Sequence, residues 1–243
     1  MLEVKGIKVN VADTEIIHGV SLTVKKGAIS VVMGPNGSGK SSLSYAISGH
    51  PHYETTSGKV TISGKDITGL PANERSEAGL YLAMQSPIAI QGLVIKSFLW
   101  QLYQKHRIND EKFMELPEFE RWLRVNAAKV QLDLRLLDRS LNDGFSGGEK
   151  KKLEILQLLT INPKIAIIDE IDSGLDVDAL RAIAQILQDA AKGGMSLLVI
   201  THYPRLLEYL EATDITVLKA GLVAAQGGKD LIANIEKNGY KSI

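Results

Sequence analysis

Apolar residues recur at close, mostly alternating spacing over the first 24 positions of the chain, which is the pattern of half-buried β-strands. The apolar positions are Leu2, Val4, Ile7, Val9, Ile16, Ile17, Val20, Leu22 and Val24. A short apolar run at 29–33 leads into a glycine-rich loop, and a helical pattern begins near Lys40. Residues 59–63 predict another strand, which a turn at 64–66 closes.

The spacing of apolar residues changes to that of helices in the middle of the chain. The helical positions are Val94, Ile95, Phe98, Leu99, Leu102 and Tyr103. They predict an amphipathic helix over 94–106. Phe119, Trp122 and Leu123 mark a second helix after Pro117. Such stripes are typical of core packing, and they also fit a helical lobe that binds a partner.

Short apolar runs and helical patterns alternate from Lys164 onward. The predicted strands are 165–168, 196–200 and 215–218, and the predicted helices are 177–190 and 205–210. Strands that are apolar throughout and separated by helices indicate a parallel sheet covered on both faces. Residues 238–243 are polar, so we expect them to be loosely held.

Composition narrows the class of protein. The chain has 28 Lys plus Arg and 28 Asp plus Glu, a balance that argues against a protein that coats nucleic acid. It has no cysteine, which excludes disulfides, thiolate metal sites and a cysteine nucleophile. The N-terminus does not resemble a signal peptide, and apolar runs such as 165–168 are far shorter than the roughly 20 residues of a membrane span. We expect a soluble, cytoplasmic protein without direct membrane insertion or direct nucleic-acid binding.

Residues 34–41 fit the pattern G-x-x-x-x-G-K-[ST] of a phosphate-binding loop, or P-loop. The candidate nucleotide-binding residues here are Gly34, Pro35, Asn36, Gly37, Ser38, Gly39, Lys40, Ser41 and Ser42. Glycines allow successive backbone N–H groups to point at one phosphate, and the helix that follows adds its positive N-terminal end. Lys40 supplies a cation for the outer phosphates, and the Ser41 hydroxyl can ligate Mg²⁺. The strand before and the helix after favour this interpretation over a flexible glycine turn.

Two acids follow the apolar strand at 165–168. Asp169 and Glu170 would lie at the carboxyl edge of a parallel sheet, where ligands bind. Asp169 would hold Mg²⁺, and Glu170 would orient and deprotonate an attacking water. An acid that ends a strand is usually structural, but the P-loop in the same chain favours the functional interpretation.

A second candidate anion site opens the helical pattern after residue 146. Ser146, Gly147 and Gly148 would expose backbone N–H groups at a helix start. Ser146 and Glu149 also have the spacing of a capping box. The two interpretations are compatible, because a helix start that caps itself can still present N–H groups to a phosphate.

These motifs, in this order and over nearly the full length, resemble the nucleotide-binding subunits of the ATP-binding-cassette (ABC) superfamily. Within 84–87, Gln85 resembles the Q-loop glutamine, which reaches the metal and the attacking water. Residues 146–149 match the signature motif and 173–176 the D-loop. His202 matches the switch histidine, which contacts the γ-phosphate.

The resemblance implies an α/β fold: a P-loop NTPase of ABC nucleotide-binding-domain type, with a mostly parallel sheet core, an antiparallel β lobe and an inserted helical lobe. One domain would span 1–243, with a core lobe at 1–84 and 156–243 and a helical lobe with the signature at 85–155. The implied activity is Mg²⁺-dependent ATP hydrolysis at the interface of an ATP-dependent head-to-tail homodimer. The implied catalytic residues are Glu170, His202 and Gln85, and the implied metal ligands are Ser41, Gln85 and Asp169.

Three stretches, 144–151, 169–180 and 201–207, resemble the SufC ATPases of the SUF iron–sulfur cluster assembly system. Most transporter ATPases carry proline and threonine where this chain has Asp172 and Ser173, and they usually show glutamine soon after the signature glycines. This finer resemblance implies an ATP-hydrolysing subunit that drives conformational change in an iron–sulfur cluster assembly scaffold, with SufB-like (or SufB/SufD-like) scaffold partners on the helical lobe, and this is the leading hypothesis from the sequence. The absence of cysteine is consistent, because the subunit cannot itself hold a cluster by thiolates.

Two positions depart from the family pattern. Val11 stands where ABC subunits often carry an aromatic residue that stacks on adenine. Ser86 precedes Pro87 where SufC proteins tend to have an aromatic residue.

Several alternatives stay open at the level of sequence. The chain could be the ATPase subunit of a membrane ABC transporter, with the same catalytic residues, or a nucleotide-binding module that does not hydrolyse ATP. The lysines at 150–152 fit a solvated helix face or a contact to Asp172 or Glu170. His50 and His52 flank a proline in a loop, and we assign them no metal.

Overall fold

The structure, a computed structural model, describes residues 1–202, 204–240 and 243. The chain forms two compact units. The first comprises Met1–Leu82, Pro163–Glu170 and Leu187–Ile243, and the second Ala83–Asn162 and Ile171–Ile186. The expected core lobe, 1–84 and 156–243, differs from the first unit at 83–84, 156–162 and 171–186, which cluster with the helical unit.

The first unit begins with a four-stranded antiparallel sheet. Its strands are β1 (Leu2–Val11), β2 (Thr14–Val24), β4 (Glu54–Ile62) and β5 (Lys65–Asp66), in the order β2-β1-β4-β5. The apolar positions Leu2, Val4, Ile7 and Val9 of β1 are fully or almost fully buried, which confirms the predicted strand pattern. Strand β4 begins earlier than the predicted 59.

A six-stranded sheet forms the centre of the first unit. Its strands are β3 (Ile29–Met33), β6 (Leu80–Ala83), β9 (Ile165–Asp169), β10 (Ser196–Ile200), β11 (Asp214–Lys219) and β12 (Leu222–Gly227), in the order β12-β11-β3-β10-β9-β6. Strands β11, β3, β10 and β9 are parallel, and β12 is antiparallel to β11. Every residue of β3, β9 and β10 is buried, as expected for central parallel strands. The predicted α/β class is confirmed.

Along the chain, the helices of the first unit come between the strands of this sheet or after them. They are α1 (Lys40–Ser48), α2 (Ala72–Glu77), α7 (Lys229–Asn238) and the C-terminal part of α6 (Val177–Lys192). The predicted helix at 205–210 is instead a 3₁₀ helix, Pro204–Glu208, whose Leu206 and Leu207 are buried. One turn of 3₁₀ helix suffices to bury two leucines, so the apolar pair alone did not specify an α-helix. Tyr203, within the motif 201–207, lies outside the described residues.

The second unit consists mainly of helices. They are α3 (Ile95–Arg107), α4 (Leu116–Lys129), a 3₁₀ helix (Leu134–Asp138), α5 (Gly147–Ile161) and the N-terminal part of α6. A two-stranded antiparallel sheet pairs β7 (Ile90–Val94) with β8 (Ser140–Leu141). Both helices predicted from the middle of the chain are present. Tyr103 and Phe119 are buried, with ring centroids 5.0 Å apart, and the Tyr103 hydroxyl accepts a hydrogen bond of 2.7 Å from the Met114 amide. Among the described helices, none has the length and apolar character needed to cross a membrane.

A buried arginine closes the C-terminal end of α1. The Arg75 side chain donates through Nη1 to the carbonyls of Ala46 and Ile47, at 2.8 and 2.7 Å. Its Nε and Nη2 donate to the carbonyls of Leu70 and Thr68, at 2.7 and 2.6 Å. Carbonyls in the last turn of a helix have no partner within the helix, and a cation there also complements the helix dipole. Arg75 therefore fixes the end of α1 and the chain that follows.

We expect the substitution Arg75→Met to lower the free energy of unfolding by about 3 kcal/mol or more, because it leaves several buried carbonyls without a donor. Urea denaturation followed by circular dichroism measures the change. The matched control is Arg121→Met on the exposed face of α4, which should shift stability by less than about 0.5 kcal/mol. Equal stabilities of the two variants would contradict the capping role.

Candidate active site

The P-loop connects β3 to α1 with a backbone that only glycine fits at two places. Gly34 and Gly39 have φ of +155° and +98°. A Cβ atom on Gly34 would lie 2.2 Å from the carbonyl oxygen of Leu218, and one on Gly39 would lie 2.7 Å from Cδ1 of Ile17. Gly39 also starts α1 without a side-chain cap, which suits the first N–H groups of the helix to an anion. These glycines fit a phosphate-binding loop, and phosphate binding itself stays a prediction.

Lys40 curves back over the loop that precedes it. Its Nζ donates to the carbonyl oxygens of Gly34 and Pro35, at 2.9 and 3.0 Å. Burial lowers the pKa of the Lys40 ammonium, and the nearby carboxylates of Glu170 and Asp169 oppose that shift. The Lys40 ammonium thus donates to neutral carbonyl oxygens of the loop. A charged phosphate oxygen would form a stronger hydrogen bond with it.

Asp169 is buried beside the first turn of α1. Its Oδ1 lies 3.5 Å from the Ser41 hydroxyl, and its Oδ2 accepts a hydrogen bond of 2.9 Å from the Ser44 hydroxyl. A hydroxyl and a carboxylate that converge in this way are oxygen ligands of the kind Mg²⁺ prefers, so Ser41 and Asp169 fit a magnesium site. Ser44 was not singled out from the sequence. Its position one turn after Ser41, on the same helix face, was the available signal.

Glu170 contacts His202 at the end of the neighbouring strand. His202 Nδ1 lies 2.9 Å from Glu170 Oε1, and the carboxylate can only accept, so Nδ1 carries the proton in this contact. Glu170 has φ of +47°, and its amide donates to the carbonyl of Ile200 at 2.9 Å. A non-glycine residue in this region is strained, and such strain concentrates at functional sites. Two of the three predicted catalytic side chains, Glu170 and His202, are therefore in direct contact.

The signature residues belong to the second unit, at the start of α5. Ser146 is the N-cap, and it forms with Glu149 the capping box predicted from the sequence. A Cβ atom on Gly148 would lie 3.1 Å from the carbonyl oxygen of Gly174, in the segment that resembles the D-loop. The glycine therefore allows α5 to start close to that segment.

Gln85 also belongs to the second unit, and α5 holds its backbone. Lys151 Nζ donates to the carbonyls of Met84 and Gln85, at 3.2 and 2.7 Å, and Glu154 Oε2 accepts from the Met84 amide at 3.2 Å. Lys151 is only 3% exposed, so the interpretation of the lysine run as a solvated face is wrong for this residue. Lys150 and Lys152 are partly exposed. The sequence did not identify Lys151 as the residue that fixes the Q-loop backbone.

The C-terminal segment makes contacts that the sequence did not predict. Helix α7 extends to Asn238, the Tyr240 hydroxyl is buried beside the backbone of Gly34, and Lys219 donates to the carbonyl of Ile243 at 2.6 Å. The expectation that 238–243 is loosely held stays a prediction, and the burial of the Tyr240 hydroxyl is a feature that the polar pattern did not indicate. Burial raises the pKa of Tyr240. Lys241 and Ser242 lie outside the described residues.

Comparison with known proteins adds three curated relatives that align over nearly their full length. The profile of the family described as ABC transporter matches residues 17–173. "Vegetative protein 296" of Bacillus subtilis (strain 168) is 44% identical over 98% of this chain and 91% of its own length. "Probable ATP-dependent transporter ycf16" of Cyanophora paradoxa is 43% identical over 99% and 93%. A "Probable ABC transporter ATP-binding protein" of Streptococcus pyogenes serotype M18 is 40% identical over 100% and 94%.

Solved structures have the same fold. A structure described as the ADP conformation of an ATP-binding cassette of an ABC transporter superposes with a TM-score of 0.76 at 26% identity, covering 98% of this chain and 95% of the other. The ATP-binding subunit of another ABC transporter gives 0.81 at 24% identity, covering 98% and 94%. Sequence, fold and the chemistry of the sheet edge agree, and the chain belongs to the ABC transporter family as an ATP-hydrolysing ABC ATPase.

Proposed function

We propose that this chain is the ATP-hydrolysing subunit of an assembly in which nucleotide-driven dimerisation changes the conformation of a partner protein. The contact between Glu170 and His202 carries the proposal. Both side chains follow central strands of the sheet, and another strand of the same sheet leads into the P-loop. The backbone of Glu170 has a strained, positive φ, which the end of a strand does not by itself require. We place the activity in the cytoplasm, where ATP is abundant.

The proposed reaction is in-line attack of water on the γ-phosphate. The P-loop amides and Lys40 bind the phosphates. Glu170 takes a proton from the attacking water while the water oxygen bonds to the γ-phosphorus and ADP leaves. His202 holds the Glu170 carboxylate in position. Ser41 and Asp169, joined by Gln85 according to the family resemblance, would hold Mg²⁺, which supplies positive charge to the phosphates when bound.

The second half of each proposed site comes from another copy of the chain. Ser146, Gly147 and Gly148 start α5 with N–H groups and a hydroxyl suited to a γ-phosphate. In the proposed head-to-tail homodimer, this helix start closes over the P-loop of the other copy. Hydrolysis would then depend on dimerisation, so anything that favours the closed dimer would raise the rate.

We propose that the partner docks on the second unit, near the Q-loop. Met84, Ile88 and Ile90 are large apolar side chains exposed by 38%, 66% and 40% in one short segment, which is a typical mark of a protein contact. Lys151 ties the backbone of this segment to α5, which begins with the signature. A partner on this surface could therefore move the Q-loop and the signature together.

The nature of the partner divides the proposal into two candidates. The names of two of the relatives, which describe transporter ATPases, favour the transmembrane part of an ABC transporter, and we give this candidate first place. The second candidate is the SufB-like or SufB/SufD-like scaffold of iron–sulfur cluster assembly. It is supported by the sequence resemblance of SufC to this chain at Glu149, Lys150, Asp172 and Ser173.

Purification from a native extract, with identification of the co-eluting protein, separates these candidates. A polytopic membrane protein that raises ATP turnover would support the transporter. A β-rich soluble scaffold that raises turnover would support cluster assembly. A partner that binds without affecting turnover would contradict the shared proposal that the ATPase drives it.

The variant Glu170→Gln should bind ATP almost as well as the parent and hydrolyse it about 10²-fold or more slowly, because the amide keeps the shape but cannot act as a base. Lys40→Ala should weaken both binding and hydrolysis. Phosphate release and nucleotide titration measure the two quantities. Glu236→Gln, on the exposed face of α7, is the control and should match the parent. Parental turnover in Glu170→Gln would show that another group is the base.

Mg-ATP should convert the chain from monomer to dimer, most clearly in Glu170→Gln, where hydrolysis does not reopen the closed state. Light scattering at several protein concentrations measures this change. Adding Ser146→Ala to the same background should weaken dimerisation, since it removes a contact to the phosphate across the interface. A dimer that forms equally well without nucleotide would contradict the composite site.

Substitution of the exposed apolar surface should uncouple the partner. We expect Ile88→Asp to lose most of the partner's stimulation of ATP turnover while basal turnover is retained, because the change lies at the docking surface. The matched control is Leu222→Asp. Leu222 is likewise a large exposed apolar residue (51% exposed), and it lies in β12 of the first unit. Full stimulation of Ile88→Asp, in a titration with the co-purified partner, would place the docking surface elsewhere.

A further inference from the structure

The carboxylate of Glu149 binds the same serine that the proposed function assigns to the γ-phosphate. Glu149 Oε2 accepts hydrogen bonds from both the amide and the hydroxyl of Ser146, each at 2.7 Å. The Glu149 amide lies 3.3 Å from the Ser146 hydroxyl oxygen. One carboxylate oxygen thus takes two donors at the start of α5.

This arrangement competes with phosphate binding for a single hydrogen. A serine hydroxyl has one hydrogen to donate, and in the structure it points to Glu149. To donate to a phosphate oxygen, the hydroxyl must leave the carboxylate. Binding across the dimer interface therefore has to replace a short, charge-assisted hydrogen bond.

The negative charge of Glu149 also opposes the binding of a phosphate at Ser146. Hydrogen bonds from the side chain and the backbone of Ser146 lower the pKa of the Glu149 carboxyl, and the nearby Arg139 and Lys152 lower it further. The group is therefore anionic at neutral pH. A carboxylate that touches the serine lies close to any phosphate bound there, and two anions at such a distance repel each other.

We propose that Glu149 is a positioning residue that opposes closure of the composite site, by holding Ser146 away from the phosphate and by repelling its charge. The proposal rests on the head-to-tail dimer described above. It explains how an isolated subunit with a full set of catalytic residues would avoid wasteful hydrolysis. A partner that favours the closed dimer would supply the free energy needed to overcome this opposition.

Helix capping is the competing explanation of the same contacts, and the two explanations predict different results. A glutamine at 149 keeps an oxygen that can accept from the Ser146 amide, but it carries no charge. If Glu149 only caps α5, Glu149→Gln should leave dimerisation unchanged or weaken it slightly. If Glu149 opposes closure, the same variant should dimerise more readily.

The experiment compares Glu170→Gln with the double variant Glu149→Gln/Glu170→Gln, so that ATP is not consumed. Sedimentation with Mg-ATP gives the protein concentration at half-dimerisation. We expect the double variant to reach it at a concentration lower by about tenfold or more. The matched control is Glu118→Gln, which neutralises another acid in the first turn of a helix, α4, and should change nothing.

Salt provides a readout that capping would not produce. Raising the ionic strength from 0.1 to 1 M shortens the Debye length from about 10 to 3 Å, so the advantage of the double variant should shrink. Glu149→Ala guards against a glutamine that rearranges the loop. It should lower the thermal stability of the chain by removing the cap, and still promote dimerisation.

The outcomes separate this inference from the proposed function. Dimerisation of both proteins at the same concentration, over the whole salt range, overturns the role of Glu149 and leaves the composite dimer intact. No ATP-dependent dimer in either protein overturns the composite dimer itself. A dimer that forms more readily in the double variant, with an advantage that salt reduces, supports the inference.

Discussion

Parallel pairing of three fully buried strands is the constraint on which the rest of this molecule depends. Strands β3, β10 and β9 run side by side, with Ile200 level with both Val32 and Asp169. Because the strands are parallel and in register, their carboxyl ends reach the same edge together. The P-loop, Asp169 and Glu170, and His202 each follow one of these ends, so backbone pairing alone brings them together from distant parts of the sequence.

Residues marked by local spacing, by the end of a buried strand or by the family resemblance were predictable from the sequence, and contacts that carry none of these signals were not. The central strands and the P-loop follow from apolar runs and glycine positions, which depend on near neighbours in the chain. Ser44 binds Asp169 across 125 positions, and Lys151 binds Gln85 across 66. No periodicity encodes such a meeting. Tyr240 was likewise missed, because a lone aromatic residue in a polar segment gives no sign that the P-loop lies next to it.

Helix α5 connects two segments of the second unit, the signature segment and the segment around Gln85. The signature begins the helix, and Lys151 and Glu154 hold the backbone at Met84 and Gln85 about one to two turns further along. Lys151 and Glu154 are buried, and their side chains bond to the backbone of this segment, so several hydrogen bonds connect the segment to α5. In the proposed function, the surface that receives the partner and the residues that reach across the dimer are thus connected through α5.

The left-handed backbone at Glu170 has a consequence for attempts to make this protein more durable. A side chain in that conformation costs about 1 kcal/mol relative to glycine, and the chain accepts the cost at the residue assigned as its base. Screens that select variants only for heat resistance favour substitutions that relieve such a cost, even where the strained residue serves the function. If Glu170 is the base, as proposed, a substitution that relieves this backbone cost would remove activity, so a thermostability campaign should leave position 170 unchanged.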